Sequence, residues 1–156
     1  MHPRELINTG IYLAGDQIVR YEAINGQWNF YLLNDLYEGT LKIIDNTVYC
    51  RRITDRGSMV NAPVEPVPIG REFFAANGFR LVREEHMIDP YWLNGERDDA
   101  RIICFPEQDG TFANIRYREP NGRLNEVRVG VNSVHELQRA LITARMEQMA
   151  KSMTIL

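Results

Sequence analysis

The sequence contains few of the residues on which several common chemistries depend. Its two cysteines, Cys50 and Cys104, each stand alone inside a strand-like run. That spacing does not fit a C-x-x-C metal or redox motif, and it predicts buried, reduced thiols. The few serines lie in no G-x-S-x-G setting, and the sequence has no glycine-rich phosphate loop. We therefore predict no catalytic residue, no metal ligand and no cofactor.

Long apolar runs and an excess of positive charge are also missing. No apolar stretch is long enough to cross a bilayer, and the amino terminus lacks the apolar core of a signal peptide. We therefore expect a cytoplasmic protein with no membrane partner. The net charge of −3 does not favour nucleic-acid binding. Only two of the 18 basic residues are lysine, and arginine-rich surfaces suit bidentate recognition of carboxylates and phosphates.

The amino-terminal third of the chain is typical of short strands joined by tight turns. Apolar residues make up 44% of the sequence and charged residues 25%, which is usual for a globular domain. Asn25-Gly26 is a strong two-residue hairpin signal that sets Ala23 opposite Trp28. A second turn at Asp45-Asn46 follows. We predict that residues 1–55 form a small, bent, SH3-like sheet or barrel.

The next segment is rich in proline. Pro63, Pro66 and Pro68 do not suit a central strand, so residues 56–69 are interpreted as an extended connector between two subdomains. Residues 70–156 are predicted to form an α+β subdomain with a short helix, an antiparallel meander and a carboxy-terminal helix. The fold class is therefore α+β.

Two glycine-containing turns predict the register of the meander. A three-residue loop at Pro120-Asn121-Gly122 sets Ile115 opposite Val127. A similar loop at Gln108-Asp109-Gly110 sets Ile103 opposite Ile115. Both loops then place one set of apolar side chains on one face of the sheet: Ile103, Phe105, Ala113, Ile115, Tyr117, Val127 and Val129.

Residues 132–150 carry the long helical signal of the chain, and this helix is predicted to cover that face. Ser133 and Glu136 have the spacing of a capping box. Apolar residues then recur at helical spacing, at Val134, Leu137, Leu141 and Ala144. The run HELQR begins like the zinc motif H-E-x-x-H, but an arginine replaces the second histidine, so a metal site is not predicted.

Four stretches together resemble a known group of proteins: ELINTGIYL, EPVPIGREFFAANGF, YWLNG and VHELQRAL. They are similar to a family of small uncharacterised proteins from phages, prophages and mobile elements of anaerobic gut bacteria. The most specific part is the V-H-E-L-Q motif at residues 134–138. Gly70 departs from the family pattern, in which a threonine usually caps the short helix. The resemblance implies an origin and a layout, but no reaction.

Three hypotheses about function follow. The first is a non-catalytic accessory protein that binds another protein, with His135 and Gln138 as an exposed contact on the first helical turns. The second is a nucleic-acid-binding module that uses an arginine-rich hairpin and an SH3-like scaffold. Its contacts would be Arg116, Arg118, Arg123 and Arg128. The third is an enzyme without a recognisable motif. The sequence identifies neither the partner nor the oligomeric state.

Overall fold

The computed structural model describes residues 1–86 and 89–155, and the fold is α+β. The chain divides into two compact units, Met1–Val67 and Pro68–Leu156. The first is a closed barrel, and the second combines a five-stranded sheet with three short helices. Within the described residues, no helix is both long and apolar enough to span a bilayer.

The first unit is a six-stranded antiparallel meander that closes on itself. A short 3₁₀ helix at Pro3–Glu5 precedes it. The strands are β1 (Ile11–Ala14), β2 (Gln17–Ile24), β3 (Gln27–Leu32), β4 (Tyr37–Ile44), β5 (Thr47–Ile53) and β6 (Met59–Pro66). Neighbouring strands pair in sequence order, and β6 pairs with β1 to complete the ring.

The turns of the barrel follow from residues that tolerate positive φ. Asn25 and Gly26 have φ values of 53° and 77°, as a two-residue primed turn requires. The predicted pairing of Ala23 with Trp28 is confirmed. Asp45 and Asn46, at 49° and 58°, join β4 to β5 in the same way. The barrel interior is filled by apolar side chains that include Tyr12, Phe30, Val48 and Val64, each 0% exposed.

The interpretation of residues 56–69 as a connector is wrong, because Met59–Pro66 is a barrel strand. β6 pairs with β5 through Met59 to Pro63 and with β1 through Val64 to Pro66. Pro63 and Pro66 therefore each lie at the end of one of these two ladders. There the missing N–H costs little, because neither ladder continues past the proline. The division between the compact units falls after Val67.

The second unit contains an antiparallel sheet and three short helices. Its elements are α1 (Arg71–Ala76), β7 (Arg80–Val82), β8 (Tyr91–Gly95), β9 (Arg101–Glu107), β10 (Gly110–Arg118), β11 (Leu124–Val131), α2 (Val134–Thr143) and α3 (Glu147–Ser152). The strand order is β11-β10-β9-β8-β7, a meander. Phe74 of α1 stacks on Trp92 of β8, with ring centroids 5.1 Å apart.

One of the two predicted registers is confirmed and the other is wrong. Ile115 pairs with Val127, as the three-residue loop requires. However, Gln108 and Asp109 form a two-residue turn, so Ile115 pairs with Ile102 and not with Ile103. Gly110 has φ 145° and belongs to β10. L side chains rarely adopt this φ, so the backbone conformation favours glycine here, and a Cβ would also lie 2.1 Å from Oδ1 of Asn132.

Because of this shift of one residue, the apolar residues predicted to share one face are divided between the two faces of the sheet. Ile102, Cys104, Ala113 and Ile115 are at most 1% exposed and share one face. α2 contacts β10 and β11. The predicted members Ile103 and Phe105 lie on the opposite face with Tyr91 and Leu93. We call this second face the cavity face.

The single helix predicted over residues 132–150 is in fact two helices. Arg145 has φ 58°, a left-handed conformation that ends α2 before α3 begins. The apolar stripe is confirmed, since Val134, Leu137, Leu141 and Ala144 are at most 1% exposed. The capping box is not formed as predicted. Ser133 Oγ donates to the Glu136 carboxylate at 2.8 Å and makes no hydrogen bond to a backbone amide.

Candidate functional site

The predicted partner contact at His135 and Gln138 is wrong, because both side chains are 1% exposed. His135 Nδ1 lies 3.1 Å from the hydroxyl oxygen of Ser133. The Gln138 amide donates to the carbonyl oxygen of Ala150 at 2.9 Å. The sequence pattern failed here because it treated polar residues beside an apolar stripe as solvent-exposed. Both residues instead take part in the packing of the carboxy-terminal helices.

The arginine-rich hairpin is present, but three of its four arginines form ion pairs with carboxylates. The arginines proposed to contact nucleic acid are Arg116, Arg118, Arg123 and Arg128. Glu126 pairs with Arg116 at 3.0 Å and with Arg128 at 3.1 Å, and Asp99 pairs with Arg118 at 2.6 Å. Hydrogen bonds from these arginines hold the pKa values of Glu126 and Asp99 below the usual carboxyl range. The hairpin therefore presents ion pairs and not a free cationic strip.

The barrel carries a surface groove that the sequence did not predict. It has a volume of about 610 Å³ and lies over β4, β5 and β6. Tyr37, Ile53 and Met59 line it and are 59%, 66% and 53% exposed. Ile53 and Met59 are direct cross-strand neighbours. We call this region the barrel groove; it is an exposed cluster of large apolar side chains of the kind that marks binding surfaces.

Two arginines and one glutamate also line the barrel groove. Arg52 pairs with Glu38 at 2.5 Å and with Asp16 at 3.7 Å, and the hydrogen bond to Glu38 raises the pKa of Arg52. Arg51 is exposed and makes no ion pair with any residue in the described part of the chain. The groove therefore combines an apolar surface with one cation available for an external partner.

A second concave site, of about 290 Å³, lies on the cavity face of the sheet, and we call it the sheet cavity. Tyr91, Ile103 and Phe105 form its apolar part. Tyr91 is fixed by a hydrogen bond of 2.9 Å from its hydroxyl to the Glu84 carboxylate. Burial and that bond raise the pKa of Tyr91, so its hydroxyl stays protonated at neutral pH.

Arg101 is the most unusual residue of the sheet cavity. It begins β9 and is only 8% exposed. Its Nε donates to the carbonyl oxygen of Arg97 at 3.0 Å, and Nη1 donates to Oδ1 of Asn114 at 3.0 Å. Both acceptors are neutral. Among residues 1–86 and 89–155, no carboxylate forms an ion pair with Arg101. Burial, and then the neighbouring Arg116, hold the pKa of Arg101 below its usual value.

Neither thiol lines the barrel groove or the sheet cavity. Cys50 and Cys104 are free and 0% exposed. Burial raises the pKa of each thiol to about 12, which leaves almost no nucleophilic thiolate at neutral pH. In the described ranges, no group of three or more His, Cys, Asp or Glu side chains is arranged to hold a metal ion.

The barrel groove, which the sequence analysis did not predict, has a recognisable signal in the sequence. Val48 and Cys50 alternate inward along β5, so Ile53 occupies an outward position where a polar residue is expected. The burial of Arg101 left no such signal, because it depends on the register between β9 and β10. Searches of family models, of curated proteins and of solved structures find no match to this chain.

Proposed function

We propose that this protein is a non-catalytic accessory protein of a phage or other mobile element, and that it acts in the bacterial cytoplasm by binding another protein through the barrel groove. The exposure of Tyr37, Ile53 and Met59 around one concave surface carries this proposal. Burying the exposed parts of three such side chains would contribute on the order of 4 kcal/mol to association. The origin in a mobile element rests on the resemblance of the V-H-E-L-Q motif and its companion stretches.

The closed barrel limits how a partner can bind. Within Met1–Val67, β6 pairs with β1, so the ring has no free strand edge to which a partner could add a strand. Binding must therefore use side chains on the outer surface. Arg51 supplies a cation without an internal ion pair beside the apolar cluster. The matching partner segment carries an apolar side chain for the groove and an acidic residue for Arg51.

Affinity capture with matched variants tests this proposal. The immobilised protein is incubated with lysate of a bacterial host, and captured proteins are identified by mass spectrometry. The double variant Ile53→Ser/Met59→Ser removes the apolar cluster. Ile43→Ser is the control, because Ile43 is 46% exposed on the same barrel but does not line the groove. We expect one host or phage protein to bind wild type and the control, and to bind the double variant at least about tenfold more weakly.

The purified partner then serves for calorimetric titration against the same three proteins. An acidic-to-neutral substitution in the partner segment and Arg51→Gln are expected to weaken binding to a similar extent, since they remove the two halves of one contact. Equal capture by the double variant, or no reproducible capture together with a clear hit in a small-molecule screen, contradicts the proposal.

Nucleic-acid binding remains the second candidate, because Arg116, Arg118 and Arg128 project from one face of the β10–β11 hairpin. The SH3-like character expected of the barrel belongs to this candidate by analogy with nucleic-acid scaffolds. The carboxylates that pair with these three arginines weaken the binding of phosphate to this face. The test is binding to duplex and single strands at about 50 mM salt, where phosphate contacts are strongest. No binding there removes this candidate.

A further inference from the structure

Arg101 is buried and forms no ion pair with a carboxylate of the described residues. Arginine is rarely buried unless a carboxylate or another anion pairs with it. Arg101 is 8% exposed and gives two hydrogen bonds to neutral oxygens, those of Arg97 and Asn114. These two bonds hold the guanidinium in one orientation at the wall of the sheet cavity. Folding therefore already includes the free-energy cost of removing this charge from water. The guanidinium is a preorganised cation in a concave site, so a ligand need not supply that free energy on binding.

The charges around the cavity sum to a single positive charge. Arg97, Arg101 and Arg116 face two carboxylates, Glu84 and Asp98, across its lining. Glu84 already pairs with Arg97 at 2.5 Å and accepts the hydrogen bond of Tyr91. The Glu126 carboxylate binds both Arg116 and Arg128. Including Glu126 and Arg128 adds one negative and one positive charge, so the sum is unchanged. One negative charge would balance the site, whereas a dianion would leave it with an excess.

The apolar lining of the cavity indicates what kind of group a ligand would carry beside its negative charge. Ile103 is 7% exposed and Tyr91 is 3% exposed, and Phe105 lies with its ring centroid 5.5 Å from that of Tyr91. A volume of about 290 Å³ is at the lower end of the range for small-molecule pockets. An aromatic or branched apolar group of a few carbon atoms fits such a surface, with a planar monoanionic group directed at the guanidinium.

We propose that the sheet cavity is a binding site for a small monocarboxylate with an apolar body. Arg101 binds the carboxylate, and Ile103 and Phe105 contact the apolar part. A carboxylate is preferred to a phosphate because it carries one charge and matches the planar fork of the guanidinium. This site lies in the second unit and does not depend on the barrel groove, so it can fail or succeed without affecting the proposed protein-binding function.

Nuclear magnetic resonance titration of the full chain tests the site directly. Sodium benzoate is the probe, benzamide is the neutral probe of the same shape, and sodium chloride controls for ionic strength. The reporters are the Arg101 Nε–H signal and the backbone amides of Ile103 and Phe105. We expect saturable shifts with benzoate, with a dissociation constant on the order of 1 to 10 mM. We expect no saturable shift with benzamide, and binding of phenyl phosphate at least about threefold weaker than that of benzoate.

Two arginine variants separate the site from general charge effects. Arg101→Gln is expected to weaken benzoate binding by about 10- to 100-fold. Arg123→Gln is the control, because Arg123 is exposed, does not line the cavity and takes no part in the charge sum above. It is expected to leave the affinity within about twofold. Since Arg101→Gln removes a buried group and its folding is not assured, the wild-type titration decides alone if that variant is unfolded.

Each result of the titration has a clear meaning. Saturable shifts confined to the cavity, given by benzoate and not by benzamide, support the site. No saturable shift at about 50 mM benzoate, equal shifts with benzamide, or tighter binding of phenyl phosphate than of benzoate overturns it. Benzoate binding that survives Arg101→Gln in a folded protein also overturns it, because the cation would then have no part in recognition.

Discussion

Gln138 offers the sharpest test of how the carboxy-terminal helices are held together. Its buried amide donates to the carbonyl oxygen of Ala150, in the last turn of α3. The amide of Thr154, four residues further on, donates instead to Oδ1 of Asn77. Gln138→Leu keeps most of the side-chain volume but leaves a buried acceptor without this donor. An unsatisfied buried acceptor costs about 1–3 kcal/mol, so we expect the second unit to lose about 2 kcal/mol of unfolding free energy.

The chain provides a matched control and a local reporter for this measurement. Gln148 lies in α3 and is exposed, so Gln148→Leu makes the same substitution without breaking a buried bond. In a Trp28→Phe background, Trp92 is the remaining tryptophan and reports the second unit alone in urea unfolding. We expect the control to change the unfolding free energy by at most about 0.5 kcal/mol.

A small effect of Gln138→Leu would refute this reasoning. If both leucine variants unfold at the same urea concentration, the bond to Ala150 does not hold α3 in place. A change in the slope of the transition would instead mean that the substitution alters the unfolded state or removes two-state behaviour.

Three further predictions concern backbone packing, thiol chemistry and acid titration. Gly39→Ala places a Cβ 2.5 Å from a carbonyl oxygen of β5, so urea unfolding is expected to show a loss of more than about 2 kcal/mol. Gly70→Ala, with no atom within 4 Å of the added Cβ, is expected to change stability by at most about 0.5 kcal/mol. Cys50 and Cys104, with pKa values raised by burial to about 12, are expected to react with a thiol reagent at about pH 8 only after unfolding. Above the unfolded thiol pKa of 9.0, the unfolded chain loses these protons first, so stability falls as the pH rises towards 12. The Glu126 carboxyl, whose pKa is lowered by two arginines, is expected to titrate below its ordinary value of 4.5 in a carbon-detected pH series. Its contribution to stability is present above that value and is lost as the pH falls through the folded pKa.

Local turn chemistry carried most of the correct structural predictions. Asn25-Gly26 and the loop ending at Gly122 fixed their registers because each turn type demands residues that adopt positive φ. Gly110 misled the same reasoning, since it is the first residue of β10 after a two-residue turn and not the last residue of a three-residue loop. Turn residues therefore predict the register where the glycine belongs to the loop, and they mislead where the glycine belongs to the strand.

The proline-rich segment and the helix break show two further limits of local reasoning. A proline such as Pro63 argues against a strand only where its missing N–H would have to donate to a neighbouring strand. In β6 the partner changes from β5 to β1 beside Pro63, and this depends on closure of the whole barrel. Arg145 carries no sequence signal for a left-handed conformation, yet it separates α2 from α3. The packing of α3 beside Gln138 accompanies this break.

The candidate functional surfaces are the part of the molecule that the sequence predicts least well. His135 and Gln138 were assigned to the exterior because polar residues usually face solvent, but their hydrogen bonds allow both to be buried. Arg101 carries no local signal, because a shift of one residue in the β9–β10 register decides on which face of the sheet it lies. Ile53 and Met59 are apolar residues at outward positions of their strands, and the sequence itself displays this break in alternation.

Site-specific photocrosslinking can show whether a protein partner binds at the barrel groove. A benzophenone-bearing amino acid replaces Ile53 in one protein and Ile43 in a control, and both are irradiated in host lysate. We expect a single dominant adduct from position 53, absent from position 43 and suppressed by excess unlabelled wild-type protein. Identical adduct patterns at the two positions, or no adduct at position 53, would contradict this expectation.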